Sequence, residues 1–400
     1  MIRCLGLALG LLLATLASAE PMVHPGCLST AEDLDRMAEK VAEQAEPWTG
    51  SWAKLVANTD EFLDDAPGVQ PTIVAGHDGE GRGENYMRLA RDAAKAYQLA
   101  LRFHGSGDER FARKAVEILN AWATTHTGWA GDSNVSLRQG LYGYQLACAA
   151  ELLRDDSLWP AEEFAAFQAY LLKQFVEGNR DFLTRRHGTV PSHYWANWGL
   201  ANVASILAIG VVCDQQDLID EAVEYYLHGE GYESIEHAVT FDHPNGLAQW
   251  QESGRDQGHA LMGPQLAGVI CEVAWNQGID LYAHDDDRLL RATEYLSKYN
   301  LGQAVPFEPY VRVFGHPGRE RRETLERISD RGRGQSRPGW DLILHHYVGR
   351  LGREAPFAAR YASDKTRPEG GGFNYGSSSG GFDSLGFTTL THGLESANSD

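Results

Sequence analysis

The sequence predicts an all-α protein, with antiparallel helix pairs forming an (α/α) toroid or incomplete barrel and few short strands. Two observations carry this prediction. Apolar residues recur at helical spacing in segment after segment, and the breaks between segments are short and rich in Gly, Pro or Asp. Strand signals are sparse; Tyr310 to Phe314 is the best of them, and it is short. Helices in long antiparallel succession bury their apolar stripes against one another, and paired helices can line a central groove. No internal period is strong enough to indicate tandem repeats.

The first nineteen residues read as a cleavable leader. Arg3 supplies a positive start, Leu5 to Ala14 an apolar run, and Ala17-Ser18-Ala19 a small-residue cleavage site. The run is too short to span a bilayer, and Cys4 precedes it, away from a lipoprotein-type cleavage point. A protein exported to the periplasm or secreted is expected, with residues 20–400 as a single domain.

Within that domain, Ser29-Thr30-Ala31-Glu32 has the look of a capping box that opens a helix through Leu34, Met37 and Val41. Residues 86–104 place Leu89, Ala93, Ala96, Tyr97, Ala100 and Leu101 on one helical face. The Gly105–Gly107 break follows, and Asp108 caps the next helix, which carries Phe111, Ala115, Ile118, Leu119 and Trp122. Further helices are predicted at about 136–154, 160–184, 194–212, 216–228, 257–277, 286–300 and 339–350. Residues 364–393, with the run GGGFNYGSSSGGFDSLGF, read as an ordered loop region packed on the barrel, with a linker as the alternative.

Composition narrows the function classes. The chain has 43% apolar residues and ten Trp, as an ordinary globular protein does. A formal charge of −20 argues against nucleic acid and anionic membranes as partners. It leaves an anionic substrate open, because salt screens distant charge beyond about 8–10 Å and a local basic cleft then dominates. Cys27, Cys148, Cys213 and Cys271 fit core thiols better than a disulfide framework, and without a CxxC pair a thiolate metal site is not expected. A monomer or weak homo-oligomer is expected.

Two stretches concentrate chemistry: PSHYWANWGLAN at 191–202 and LAQWQESGRDQGHALMGPQLAGVICEVAWNQGIDLY at 247–282. Each sets aromatic, amide, imidazole or guanidinium groups at the start of an apolar helix. These segments resemble the alginate lyase superfamily of polysaccharide lyases. HPGC at 24–27 with Pro47-Trp48 looks like that family's opening, and GDERFARKAVEILNAW at 107–122 like one of its early helix pairs. HYWANW at 193–198 and the E-x-x-R-D-x-x-H segment form the centre, and GGFDSLGF at 380–387 resembles the close. The ESGRDQGH form suggests a subgroup near polysaccharide lyase family 38. The resemblance spans nearly the whole mature chain and implies an (α/α) toroid that cleaves uronic-acid polymers by β-elimination.

Such an elimination needs three functions. Loss of the proton beside a uronate carboxylate builds enolate charge, so a neutraliser must hold the carboxylate. A base takes the C5 proton, and an acid protonates the departing O4. Asn197 is the candidate neutraliser amide; the competing readings are a helix cap or a solvent-facing Asn. Alginate lyases of family 5 carry Asn-Asn-His before the Tyr-Trp pair, and here Pro191-Ser192 occupy the last two of those places. His193 is therefore expected to contact substrate or start the helix rather than act as base. Tyr194 and Trp195 are expected in the groove, and Trp198 in the core. Arg255 and His259, spaced i, i+4, share one helix face, with Glu252 and Asp256 placed to orient them. A surface ion-pair cluster is the blander reading. Gly254, Gly258 and Gly263 suit close approach by another segment. Tyr310 is the candidate proton carrier, with neighbouring Arg312 expected to depress its pKa. Tyr142, Tyr144, Tyr194 and Tyr299 are the fallbacks. Arg138, Trp250, Glu252 and Arg312 complete the expected substrate contacts, with Arg185, Arg186 and His187 as weaker ones.

No metal or cofactor is called for by this chemistry. His284-Asp285-Asp286-Asp287 lacks the spaced oxygen ligands of a calcium loop and reads instead as a cap for the next helix. The Arg319, Arg321, Arg322 run reads as a solvated helix face. Two other functions compete with the lyase: a glycoside hydrolase on the same toroid using Glu252 and Asp256, and an exported glycan-binding protein without catalysis.

Overall fold

The computed structural model describes residues 21–154, 157–377 and 379–395. The predicted leader, residues 1–19 with Arg3 and Cys4, lies outside the described residues. Helix dominates. The first half holds α1 (Ala31–Ala42), α2 (Trp48–Phe62), β1 (Thr72–Ala75), α3 (Met87–Ser106), α4 (Glu109–Thr125), β2 (Gly128–Gly131), α5 (Asn134–Glu151), α6 (Ala161–Leu171) and α7 (Glu177–Arg185). Next come α8 (Ala196–Val212), α9 (Gln216–His228), α10 (Ile235–Ala238), β3 (Val239–Asp242), β4 (Ala248–Trp250), α11 (Gln257–Asn276) and α12 (His284–Asn300). The chain closes with β5 (Tyr310–Phe314), β6 (Arg321–Leu325), α13 (Trp340–Leu344), α14 (Pro356–Tyr361) and α15 (Thr388–His392). Among the described residues, six strands pair into three separate two-stranded ribbons, the first parallel and the others antiparallel.

Local sequence explains the elements. Thr30 caps α1 in a capping box closed by Asp33. Gly107 ends α3 in the left-handed conformation, φ 69°, which Gly adopts without a Cβ penalty, and Asp108 at once caps α4. Helix α8 is apolar almost all round, as a central helix must be, and it packs between α5 and α11. Helices α4, α9 and α12 lie against α3, α8 and α11, giving the predicted pairs. One contiguous core runs through Trp122, Tyr142, Leu200, Ile206, Leu266 and Trp340.

Four expectations need correction. Residues 321–325 form an exposed edge strand and not a helix face; the run RRETL has no apolar stripe, and it pairs with β5 instead. Asp285, Asp286 and Asp287 sit in a left-handed turn with no side-chain cap bond, and Asp285 and Asp287 pair instead with Arg288 and Arg353. Trp198 is half-buried, 4.7 Å from Tyr194 and 6.0 Å from Phe182. Cys213 is half-buried at the end of α8, while Cys27, Cys148 and Cys271 are buried free thiols as expected. The tail is ordered: Phe382, Leu385 and Phe387 are buried, and Gln145 donates to Phe382 O at 2.9 Å.

Candidate active site

Three long helices begin at one end of the molecule. Ser136 in the first turn of α5 meets His187 at 3.0 Å, which ties α5 to the segment leading into α8. Across α8, the Asn197 N–H donates to Glu252 Oε2 at 3.3 Å, which ties α8 to the short turn before α11. Helix N-termini carry partial positive charge, so their convergence favours an anion. The β5–β6 ribbon packs beside them. Val190 N–H donates to Gly315 O at 2.9 Å, Ser192 Oγ to Val313 O at 2.6 Å, and Leu325 lies against Gly254.

The E-x-x-R-D-x-x-H segment folds into one connected chain of polar contacts. Asp256 caps α11, accepting the His259 N–H at 2.9 Å, and its Oδ2 lies 2.8 Å from His259 Nδ1. Arg255 Nη2 lies 3.3 Å from His259 Nε2, and Arg255 Nη1 donates to Glu252 Oε1 at 2.7 Å. Acceptance by Asp256 calls for Nδ1–H and a lone pair on Nε2, the tautomer a general base requires. Burial raises Asp256, but the hydrogen bonds and charge of His259 with the charge of Arg255 outweigh it and hold its carboxyl at about 2. Burial pushes fully enclosed Glu252 upward, with Arg255 and His259 opposing. The His259 side chain is 40% exposed, so the chain ends in an accessible ring. Glu252 and Asp256 thus orient Arg255 and His259 as expected.

The three glycines also behave as expected. A Cβ on Gly254, Gly258 or Gly263 would meet Leu325, Gln335 or the Trp250 ring at under 3 Å. That last contact corrects an expectation: Trp250 is 0% exposed and packed on α11, so it is core and not a substrate contact.

Asn197 is buried, with Nδ2 3.6 Å from Met262 Sδ and Oδ1 without a partner among the described residues. The helix cap is Trp195, so both competing readings for Asn197 fail. Trp195 is half-buried, with the Arg312 and Arg255 guanidiniums 4.0 and 4.8 Å from its ring. His193 Nδ1 accepts the Gly315 N–H at 2.9 Å, and burial with the Arg312 charge lowers its pKa. Tyr194 lies on this edge, its ring centre 4.6 Å from that of His193 and tilted against it.

Tyr310 donates its hydroxyl to Gln251 O, whose residue also accepts the Ala196 N–H through its side chain. The expected depression of Tyr310 does not occur. Burial, Tyr232 and Glu252 push it well above the usual range, and Arg312 only partly opposes them. Among the fallbacks, Tyr142 and Tyr144 are fully buried and likewise raised by burial, and Tyr299 lies under Arg333. Arg138 lies on α5, its guanidinium 4.1 Å from the Tyr86 ring. Arg186 is in a buried ion pair with Glu233, a structural role, and Arg185 pairs with Asp181 at the surface. The hydrolase arrangement is not built. Glu252 is sealed from solvent and Asp256 caps its helix, so they do not oppose each other across a groove. Sequence reasoning missed Gln251 and Met262, which sit inside the quoted motif but are silent in type.

The fold agrees with known lyases. An alginate lyase from Bacteroides ovatus superposes with a TM-score of 0.63 at 16% identity, covering 93% of this chain and 100% of that one. Alginate lyase A1-III from Sphingomonas species A1 gives 0.52 at 14% identity over 83% and 92%. A tetrasaccharide complex of an A1-III variant gives 0.54 at 14% identity over 70% and 78%. The chain has no match among the curated proteins. The alginate lyase family model matches residues 29–305, more than half of the sequence, including the 191–202 and 247–282 segments but not Tyr310 or Arg312. The chain therefore belongs to the alginate lyase family and is a polysaccharide lyase.

Proposed function

We propose that the protein cleaves a uronic-acid polymer, alginate or polymannuronate or glucuronan, by β-elimination at the Asp256–His259–Arg255 cluster. One observation carries this reading: an accessible imidazole, oriented by a buried carboxylate, ends beside a guanidinium. His259 Nε2 takes the C5 proton, while Asp256 holds Nδ1–H and stabilises the imidazolium. Arg255 leaves Nε2 for the uronate carboxylate, and the Asn197 amide, donating through Nδ2 and not through its oxygen, is the second neutralising group. Tyr310, kept protonated by its surroundings, donates to the departing O4. His193, Tyr194, Trp195, Arg138 and Arg312 are assigned to the groove, while Glu252, expected as a substrate contact, is sealed from solvent and acts only by holding Arg255. No metal or cofactor enters this scheme.

The ESGRDQGH form supports placement near polysaccharide lyase family 38, and the leader supports action in the periplasm or outside the cell. No described helix is long and apolar enough to cross a membrane. We read residues 20–400 as one catalytic unit, working as a monomer or weak homo-oligomer on an anionic polysaccharide. The test is ultraviolet absorbance during incubation with alginate, polymannuronate, polyguluronate and glucuronan in the presence of a chelator. A rise reports the C4=C5 bond that elimination alone forms. New reducing ends without that rise contradict the reading.

A further inference from the structure

The two guanidiniums around Trp195 are not equally matched. Arg255 has Glu252 at 2.7 Å and Asp256 at 3.7 Å. Arg312 is only 8% exposed, yet its one carboxylate contact among the described residues is Glu323 at 3.4 Å, across the β5–β6 ribbon, with a side chain 46% exposed. One amine of Arg312 donates to His193 O, and its buried Nε has no acceptor among the described residues. Burial and the nearby Arg255 charge lower its pKa, which records that the cation is costly where it stands. A buried charge without a full partner is destabilising unless function retains it. With two arginines already against its ring, Trp195 is better placed to fix them than to stack on a sugar.

We infer that Arg312 is a second carboxylate-binding group, held by Trp195 as its positioning residue, for the uronate next to the unit that loses its proton. The inference rests on the lyase reading above and deepens it. A polyuronate carries one carboxylate per sugar, so a groove that neutralises one acid at Arg255 has a second guanidinium on the same aromatic platform for its neighbour. Arg312 then acts in binding and makes adjacent acidic units a condition for tight binding. Its planar fork suits a carboxylate better than a lysine would.

Three variants test it: Arg312→Gln, Trp195→Phe, and Glu323→Gln at the exposed partner. Turnover on the polymer gives kcat and KM, and calorimetry with a saturated oligouronate in the His259→Ala background gives Kd without turnover. Arg312→Gln should raise KM and Kd by about tenfold or more, with kcat within about threefold. Glu323→Gln should lower both constants, because it frees the cation. Trp195→Phe should raise KM less than Arg312→Gln does. A fall in kcat at constant KM for Arg312→Gln, or an unchanged Kd for Glu323→Gln, overturns the proposal. If Arg312→Gln does not fold, Glu323→Gln decides alone. If the wild type forms no unsaturated product, the lyase reading fails by itself. The Kd comparison then still upholds or overturns the Arg312 site.

Discussion

Helix α11 carries a cluster of charged side chains near each end, and the two clusters are built differently. At its start, Glu252, Arg255, Asp256 and His259 form an open chain that ends in an imidazole 40% exposed. Toward its far end, Glu272 is sealed. Arg350 grips both its oxygens at 2.7 and 3.0 Å, Tyr282 donates at 2.9 Å, and His392 lies 3.4 Å away. Burial works against Glu272, yet His392 and Arg350 hold its carboxyl below the usual range. Burial pushes neighbouring His345 and His346 down to about 3 and 4, so both rings stay neutral. Buried charge is thus common to both ends. On the reading proposed above, the first is the working end because its terminal imidazole is accessible, whereas His346 and His392 at the other end are fully buried.

The contrast breaks most sharply by substitution. His259→Ala should cut kcat by about 10²–10⁴-fold, the range for a positioned acid–base group, while thermal melting barely moves. Tyr310→Phe should lower kcat as well, with the loss falling on leaving groups that need a proton. Glu272→Ala should do the opposite. It strands Arg350 and costs about 3–5 kcal/mol by urea unfolding, while kcat per folded molecule stays near wild type. A Glu272 variant that folds normally but turns over slowly would merge the two clusters into one function.

pH sharpens the comparison further. Asp256 is depressed from 3.8 to about 2, so its contribution to stability is full above its unfolded value and fades as pH falls toward about 2. Asp256→Asn should flatten that acid limb in melting temperature against pH. A smaller effect of opposite sign sits at His24, which bridges Glu151 at 2.5 Å and Asp214 at 3.0 Å near Arg154 and is raised, mainly by its bond to Glu151. That contribution is full below about pH 6.5 and is lost as pH rises through the raised folded value. His24→Gln should remove the alkaline decline in melting temperature.

Long periodic helices were legible in the sequence because one apolar stripe decides them. The prediction for 216–228 coincides with α9, and 257–277 overshoots α11 by one residue. Helix α2 was not foreseen; its run WTGSWAKLVANTDEF interrupts the stripe with Gly, Asn and Thr, and contact with α1 and α3 stabilises it. The Arg255, Asp256 and His259 arrangement was readable because it lies within one turn. The fate of Trp250 was not, since it depends on Gly263 arriving against its ring from the helix that follows. Nor was the pairing of Trp195 with Arg312, which only the β5–β6 ribbon brings together.

The most direct test of the account is the rate at which unsaturated product appears for His259→Ala against wild type on the best polyuronate, at matched folded fraction. The account predicts a loss of at least about 100-fold with an unchanged melting temperature. A rate within a few-fold of wild type would contradict it and move the base elsewhere in the groove.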